Sequence, residues 1–155
     1  MLNASIVLFN HSIDDIKPLV ESLRSSALMN DVFLIDNSPA EVVGFRNLPA
    51  VYIFNNKNLG YGAAHNIALH KTLEQNVLYH LVINPDIQLD YRILDELTDY
   101  MDKNPDIGHI MPRVLNPDGT IQYLCKLLPR PSDLLFRRFL PTGWTQKSNE
   151  HFELR

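Results

Sequence analysis

Ser5-Ile6-Val7-Leu8-Phe9-Asn10-His11-Ser12 is the stretch on which the reading of the fold turns. The run from Ala4 to Phe9 lacks the polar alternation of a half-exposed strand. It reads instead as a strand buried on both faces of a parallel sheet. Asn10-His11-Ser12 ends it as a turn. Ile13, Ile16, Leu19, Val20 and Leu23 then recur at helical spacing. Pro18 is tolerated in a first helical turn, so the helix is predicted to start near Asp15 or Ile16. Asp14 and Asp15 are its candidate caps.

Working outward, strand and helix keep alternating. Val32 to Ile35 is a second buried strand, stopped by the turn formers Asp36-Asn37-Ser38-Pro39. Val51 to Phe54 is a third. After the loop Asn55 to Gly62, a helix is predicted from about Gly62 to Gln75, with Ala64, Ile67 and Ala68 on its packing face. Val77 to Ile83 reads as a fourth strand, ending at Asn84-Pro85-Asp86. Asp90 is expected to cap a further helix whose Leu94, Leu97, Tyr100 and Met101 face inward. Asn104-Pro105 ends that helix, and Ile107 to Met111 reads as a fifth strand. This alternation predicts an α/β fold, Rossmann-like, with a mostly parallel sheet flanked by helices.

After Pro112 the character changes. Val114-Leu115 and Thr120-Ile121-Gln122 flank Asn116-Pro117-Asp118-Gly119, a hairpin signature. Pro129-Arg130-Pro131 breaks the chain again, and Ser132 to Leu140 suits a short amphipathic helix. The expected organisation is one domain over residues 1–140 and an irregular tail over 141–155.

The composition narrows the function classes. A formal net charge of -4 argues against a nucleic-acid partner. Cys125 is the single cysteine, so no internal disulfide can form, which fits a reducing compartment. No apolar run approaches the roughly 20 residues of a membrane span, and the N-terminus lacks a signal-peptide pattern. A cytoplasmic location is expected. Arg130, Arg137 and Arg138 make a basic cluster. It reads as a solvated face or as a contact for anionic lipid, which would be peripheral contact at the inner face of the membrane.

In an open parallel sheet, ligands bind outside the carboxyl ends of the strands. The polar residues predicted there are Asn10, Asp36, Asn55 to Gly62, and Asn84-Pro85-Asp86. Asp86 could ligate a hard divalent ion together with substrate phosphates; read plainly, Asn84-Pro85-Asp86 is a turn. Asn58-Leu59-Gly60-Tyr61-Gly62 leads into a helix and could offer backbone N–H groups to an anion; read plainly, its glycines only let the chain turn. Asp36 could accept from a base or a ribose hydroxyl, or make an Asx turn with Ser38. His65 follows the glycine loop and is the one histidine given a functional role. There is no Gly-Lys-Ser/Thr of a P-loop and no nucleophile elbow. The glycine loop follows the third strand, whereas a dinucleotide fingerprint follows the first.

Taken in order, Ala4 to Asn10, Ile35-Asp36-Asn37-Ser38, Asn58-Leu59-Gly60-Tyr61-Gly62-Ala63-Ala64-His65-Asn66 and Leu81-Val82-Ile83-Asn84-Pro85-Asp86 resemble family-2 glycosyltransferases of the GT-A fold. The Pro117-Asp118-Gly119 hairpin and Pro129-Arg130-Pro131 resemble the rhamnosyltransferase-like branch. The resemblance spans about Ala4 to Phe139. It implies that residues 1–140 are a nucleotide-sugar-binding domain, cut short on the acceptor side. Phe9, Asn10, Asp36, Asn58, Gly60, Gly62, His65, Asn66 and Asn84 would line the nucleotide pocket. Asn84-Pro85-Asp86 would stand for the family's Asp-x-Asp motif, with Asp86 holding Mg2+ or Mn2+. The implied reaction is inverting transfer of a sugar, rhamnose by resemblance, from a dTDP- or UDP-sugar to a saccharide or lipid-linked acceptor in cell-surface polysaccharide synthesis. The sequence departs from the family at Asn84, where the motif has Asp, and at His65, where Arg is frequent. The family's acidic general base has no counterpart after Arg130, so the catalytic residue is unassigned. The alternative reading is a non-catalytic nucleotide-sugar-binding module that works with a partner chain. A nucleotidyltransferase would need a glycine-rich basic loop after the first strand, where Asn10-His11-Ser12-Ile13 stands.

Overall fold

The computed structural model describes residues 1–122. The chain divides into one compact unit over Met1–Gly108 and a second beginning at His109. In the first unit the order is β1 (Leu2–Leu8), α1 (Ile13–Arg24), β2 (Met29–Asp36), a 3-10 turn (Val43–Asn47), β3 (Val51–Phe54), α2 (Tyr61–Glu74), β4 (Tyr79–Ile83) and α3 (Ile93–Lys103). The four strands form one sheet in the order β3-β2-β1-β4. Every neighbouring pair is parallel. The fold is therefore α/β, a parallel sheet flanked by helices.

The strand parity divides the core in two. Leu2, Ala4, Ile6 and Leu8 of β1 and Val32 and Leu34 of β2 are fully or almost fully buried with Ile16, Leu19, Val20 and Leu23 of α1. Phe33 and Ile35 of β2 face the other way and pack on Ala64 and Ala68 of α2. The two alanines let the α2 backbone lie close to the sheet. With both faces covered, β1 is apolar at all but two positions, Asn3 and Ser5, and both of those are buried with hydrogen-bond partners.

Four sequence expectations are corrected. Helix α1 starts at Ile13, earlier than Asp15, because Ser12 is its N-cap. Asp15 N–H donates to Ser12 Oγ at 3.3 Å and Ser12 N–H donates to Asp15 Oδ2 at 3.0 Å, a reciprocal capping box. Pro18 thus falls inside the helix. The carbonyl it leaves without an intrahelical donor belongs to Asp14, which is exposed, so water can satisfy it. Of the four α3 residues expected to face inward, only Leu94 is buried, and Tyr100 is 50% exposed. Asp90 does not cap that helix directly. Its carboxylate accepts from Arg92 N–H and the Arg92 guanidinium, and the helix begins after that turn. Ile107 to Met111 forms no strand. The run contains Gly108, which weakens a strand interior, and it straddles the junction between the two units.

In the second unit, β5 (Val114–Leu115) and β6 (Ile121–Gln122) pair antiparallel as the expected hairpin. Gly119 takes φ +83° and its N–H donates to the Asn116 carbonyl at 2.9 Å. Cys125, Arg130, Arg137, Arg138, the predicted helix at Ser132 to Leu140 and the tail 141–155 lie outside the described residues. No helix among the described residues is long and apolar enough to cross a membrane.

Candidate functional site

Parallel strands deliver their carboxyl ends to one edge of the sheet. Phe9-Asn10 follow β1, Asp36-Asn37-Ser38 end β2, Asn55 to Gly60 follow β3, and Asn84-Pro85-Asp86 follow β4. The polar residues picked from the sequence therefore share an edge.

Two groups of contacts organise that edge. The first ties β1, β2 and the β3–α2 loop together. Asn10 adopts φ +58°, a conformation Asn tolerates, and its N–H donates to Ser38 Oγ at 2.8 Å. Asn55 Nδ2 donates to Asn37 Oδ1 at 2.9 Å. Asn37 Nδ2 reaches Asn58 Oδ1 and the Gly60 carbonyl at 3.4 and 3.3 Å. Asn58 Oδ1 also accepts from Gly60 N–H at 2.9 Å. Gly60 sits at φ +80° and ψ 167°, a region open to glycine alone, and is the N-cap of α2 with no side-chain cap. The first-turn N–H groups of α2 thus lack a side-chain acceptor on the protein's own N-cap. Gly62 lies within the helix and needs no special backbone.

The second group involves α2 and β4. Tyr61, the first residue of α2, donates its hydroxyl to Asn84 Oδ1 at 2.9 Å. Its ring stands edge-on to His65, with centroids 4.3 Å apart. His65 is 97% buried, since only 3% of its surface is exposed. Its Nδ1 lies 2.7 Å from Ser5 Oγ, and its Nε2 has no partner among the described residues. Burial holds its imidazole below the ordinary value. Asn66 is exposed on α2, and Phe9 is 48% exposed.

Asp36 is fully buried. Oδ1 accepts from Ser38 N–H at 2.9 Å, an Asx turn, and Oδ2 accepts from the Tyr52 hydroxyl at 2.6 Å. Burial, then the Asp36 carboxylate, push the Tyr52 phenol far above its usual range. Both Asp36 oxygens are engaged by the protein, so this carboxylate shapes the β2–β3 edge through Tyr52 and Ser38.

Asp86 is exposed. It borders a cleft of about 460 Å³ between α1 and the segment after β4, lined also by His11, Asp15, Leu19, Pro85 and Gln88. The bonds from Ser12 hold the Asp15 carboxyl below its usual range. Among the described residues no cluster of three or more His, Cys, Asp or Glu side chains is arranged to hold a metal. A Mg2+ or Mn2+ at Asp86 would therefore depend on ligand phosphates and water for its remaining oxygens, a mode in which Mg2+ is often bound.

Sequence reasoning gave no role of their own to Tyr61 and Asn37, which stood within the stretches it singled out, and missed Tyr52 and the Ser5–His80 contact. A signal for the last was present. Ser5 and His80 are polar residues inside otherwise apolar strands, and such residues need buried partners.

No family model matches the sequence, and no curated protein matches it either.

Proposed function

We propose that the chain binds a nucleotide diphosphate sugar at the carboxyl edge of β1, β2 and β4, as the donor-binding part of a GT-A glycosyltransferase of the family-2, rhamnosyltransferase-like kind. The observation that carries the reading is the parallel order β3-β2-β1-β4, which gathers Asn10, Asp36, Asn58 to Gly60 and Asn84 to Asp86 on one edge. Base and ribose would lie against the amide-rich wall of Asn10, Asn37 and Asn58. The diphosphate would meet the uncapped N-terminus of α2, where helix N–H groups and the helix dipole favour an anion. Tyr61 holds Asn84 beside this position. Asp86 would hold Mg2+ or Mn2+, which when bound supplies charge stabilisation for the leaving diphosphate. The reaction would be inverting attack by a saccharide or lipid-linked acceptor hydroxyl on the anomeric carbon. A cytoplasmic setting, with Arg130, Arg137 and Arg138 against the inner membrane face, belongs to the same proposal.

A second reading keeps the donor site without the transfer step, since Asp36, the one buried carboxylate among the described residues, is engaged through both oxygens by Ser38 and Tyr52. The chain would then be a non-catalytic nucleotide-sugar-binding module that needs a partner chain. Product formation with donor and acceptor separates the two.

The test is thermal unfolding with UDP, dTDP and GDP, each with Mn2+ or EDTA, beside Asp86→Ala. Ligand at about 100 times its Kd adds roughly 2.7 kcal/mol of stability, a rise on the order of 5–10 °C. The expected result is a metal-dependent rise with one nucleotide that Asp86→Ala abolishes. No rise with any nucleotide refutes the donor site.

A further inference from the structure

We infer that His65 and His80, joined through the Ser5 hydroxyl, take up one proton as a pair when a diphosphate settles at the N-terminus of α2. The inference rests on the donor-site reading above and adds a regulation to it.

The geometry is a matter of counting hydrogens. Ser5 Oγ on β1 lies 2.7 Å from His65 Nδ1 on α2 and 2.7 Å from His80 Nε2 on β4. A hydroxyl has one hydrogen to give. One of the two ring nitrogens accepts it, and the other must carry its own. The far side of His80 decides which. His80 Nδ1 lies 2.7 Å from Thr72 Oγ1. Thr72 accepts from Asn3 Nδ2 and donates to the Ala68 carbonyl, both at 3.0 Å. With that hydrogen committed, His80 carries its own on Nδ1. Its Nε2 accepts from Ser5, and His65 donates to Ser5 from Nδ1. His65 Nε2 is then a bare, buried lone pair, in accord with its lack of a partner.

A proton arriving at His65 Nε2 moves inward without leaving any atom overfilled. His65 Nδ1 passes its hydrogen to Ser5 Oγ as Ser5 passes its own to His80 Nε2. His65 is again neutral, now protonated on Nε2. The positive charge sits on His80, which donates to Ser5 and Thr72 from its two nitrogens. Both hydrogen bonds to Ser5 survive with their directions reversed, and the one from His80 Nδ1 to Thr72 Oγ1 is unchanged.

In the free chain little around the pair compensates that charge. β1 presents Ser5 and Asn3, β2 presents Phe33 and Ile35, and α2 presents the phenol of Tyr61. The carboxylate of Asp31 is reached only indirectly, through Gln75 and Asn3. The side chains of His70, Lys71 and Glu74 on α2 make no hydrogen bond or ion pair with the network among the described residues. Burial accordingly holds both imidazoles low, with His80 at about 4. What the pair lacks is a counter-charge. His65 is the fifth residue of α2, so its turn begins roughly 6 Å from the helix N-terminus at about 1.5 Å per residue. His80, three residues before the end of β4, lies about 10 Å from the carboxyl edge at about 3.3 Å per residue, so an anion there favours the protonated pair by attraction through the dry interior, and by reciprocity the protonated pair favours the anion.

The experiment uses the full chain with Mg2+ and either UDP-glucose or dTDP-glucose, whose diphosphate diesters do not titrate between pH 5 and 8. Nitrogen-15 NMR of the imidazoles reads the tautomers, and calorimetry in two buffers of different ionisation enthalpy counts protons. The free chain should show both histidines as Nδ1–H tautomers. Binding should convert His80 to imidazolium with uptake of up to one proton, and affinity should rise by as much as about tenfold per unit fall in pH. His80→Gln, whose amide can still reach Ser5 but cannot be protonated, should bind without uptake. If His80→Gln fails to fold, the His80 signal of the unmodified chain still decides. Binding with no uptake, or with the same uptake in His80→Gln, overturns the coupling and leaves the donor site standing. Absence of binding with either nucleotide sugar at every pH overturns both.

Discussion

Ser5→Ala removes one hydroxyl from a fully buried position on β1 and strands two imidazole nitrogens at once. Neither has an alternative partner among the described residues. A buried polar group left unsatisfied costs about 1–3 kcal/mol. Part of this is offset because the serine hydroxyl no longer needs partners of its own. The expected loss is about 2–4 kcal/mol, far above the few tenths of an ordinary surface change. For a chain of this size that is on the order of 5–15 °C in Tm. Urea unfolding followed by far-UV circular dichroism gives the free energy directly. A double-mutant cycle with His80→Ala, which leaves no group to reach Ser5, then isolates the shared hydrogen bond, for which a coupling of about 1 kcal/mol is expected. A Ser5→Ala loss below about 0.5 kcal/mol would refute the reasoning, because the hydroxyl would then not be holding the two rings.

The acid limb of stability should carry the same signature. A histidine whose folded pKa lies below its unfolded value weakens the fold as pH falls, from near 6.5 down to about 4 for His80. Unfolding free energies from urea titration at pH 7 and pH 4.5 should differ by about 1–2 kcal/mol from this group, after discount for its partial exposure, and His80→Gln should flatten that part. At the alkaline end the sign reverses: Tyr52 is raised, so stability is lost as pH climbs above about 10, and absorbance titration should show one phenol that ionises only on unfolding. Tyr52→Phe leaves Asp36 Oδ2 without its donor and should cost about 1.5–3 kcal/mol in urea unfolding. Gly60→Ala meets no atom within 4 Å, so its expected cost of about 1–3 kcal/mol is backbone strain alone. Gly62→Ala, two residues on and inside the helix, should be neutral or gain up to about 1 kcal/mol in the same assay.

What the sequence made legible follows from which forces act locally. β1 and the first-strand reading were visible because a strand covered on both faces needs an apolar residue at nearly every position. The carboxyl-edge site was visible for a related reason: polar turn formers stop such strands abruptly, at Asp36 and at Asn84. Boundaries were less legible where a side chain outbid a backbone rule. Ser12 and Asp15 together satisfy enough of the α1 N-terminus to start the helix ahead of Pro18. Helix α3 was over-read because periodicity reports which face could be buried, whereas burial needs a partner surface, and of the four residues expected to face inward only Leu94 is fully covered.

The polar interior was least legible, and the reason bears on how the site works. Spacing along a chain says nothing about which residue of a distant strand stands opposite. Ser5, His65 and His80 meet because β4 pairs with β1 in a register that sets Asn3 against His80 and because α2 crosses the same face. Burying a serine and two imidazoles there is favourable only while every nitrogen but one is bonded. The exception, His65 Nε2, belongs to the residue that lies beside Tyr61, and Tyr61 in turn holds Asn84. The single unfulfilled atom of the network is therefore two contacts from the β4 turn that bears Asp86. Among the described residues, His65 Nε2 is the one buried side-chain nitrogen or oxygen without a hydrogen-bond partner, and it lies on α2 close to the carboxyl edge. That is where an incoming charge would alter the network most.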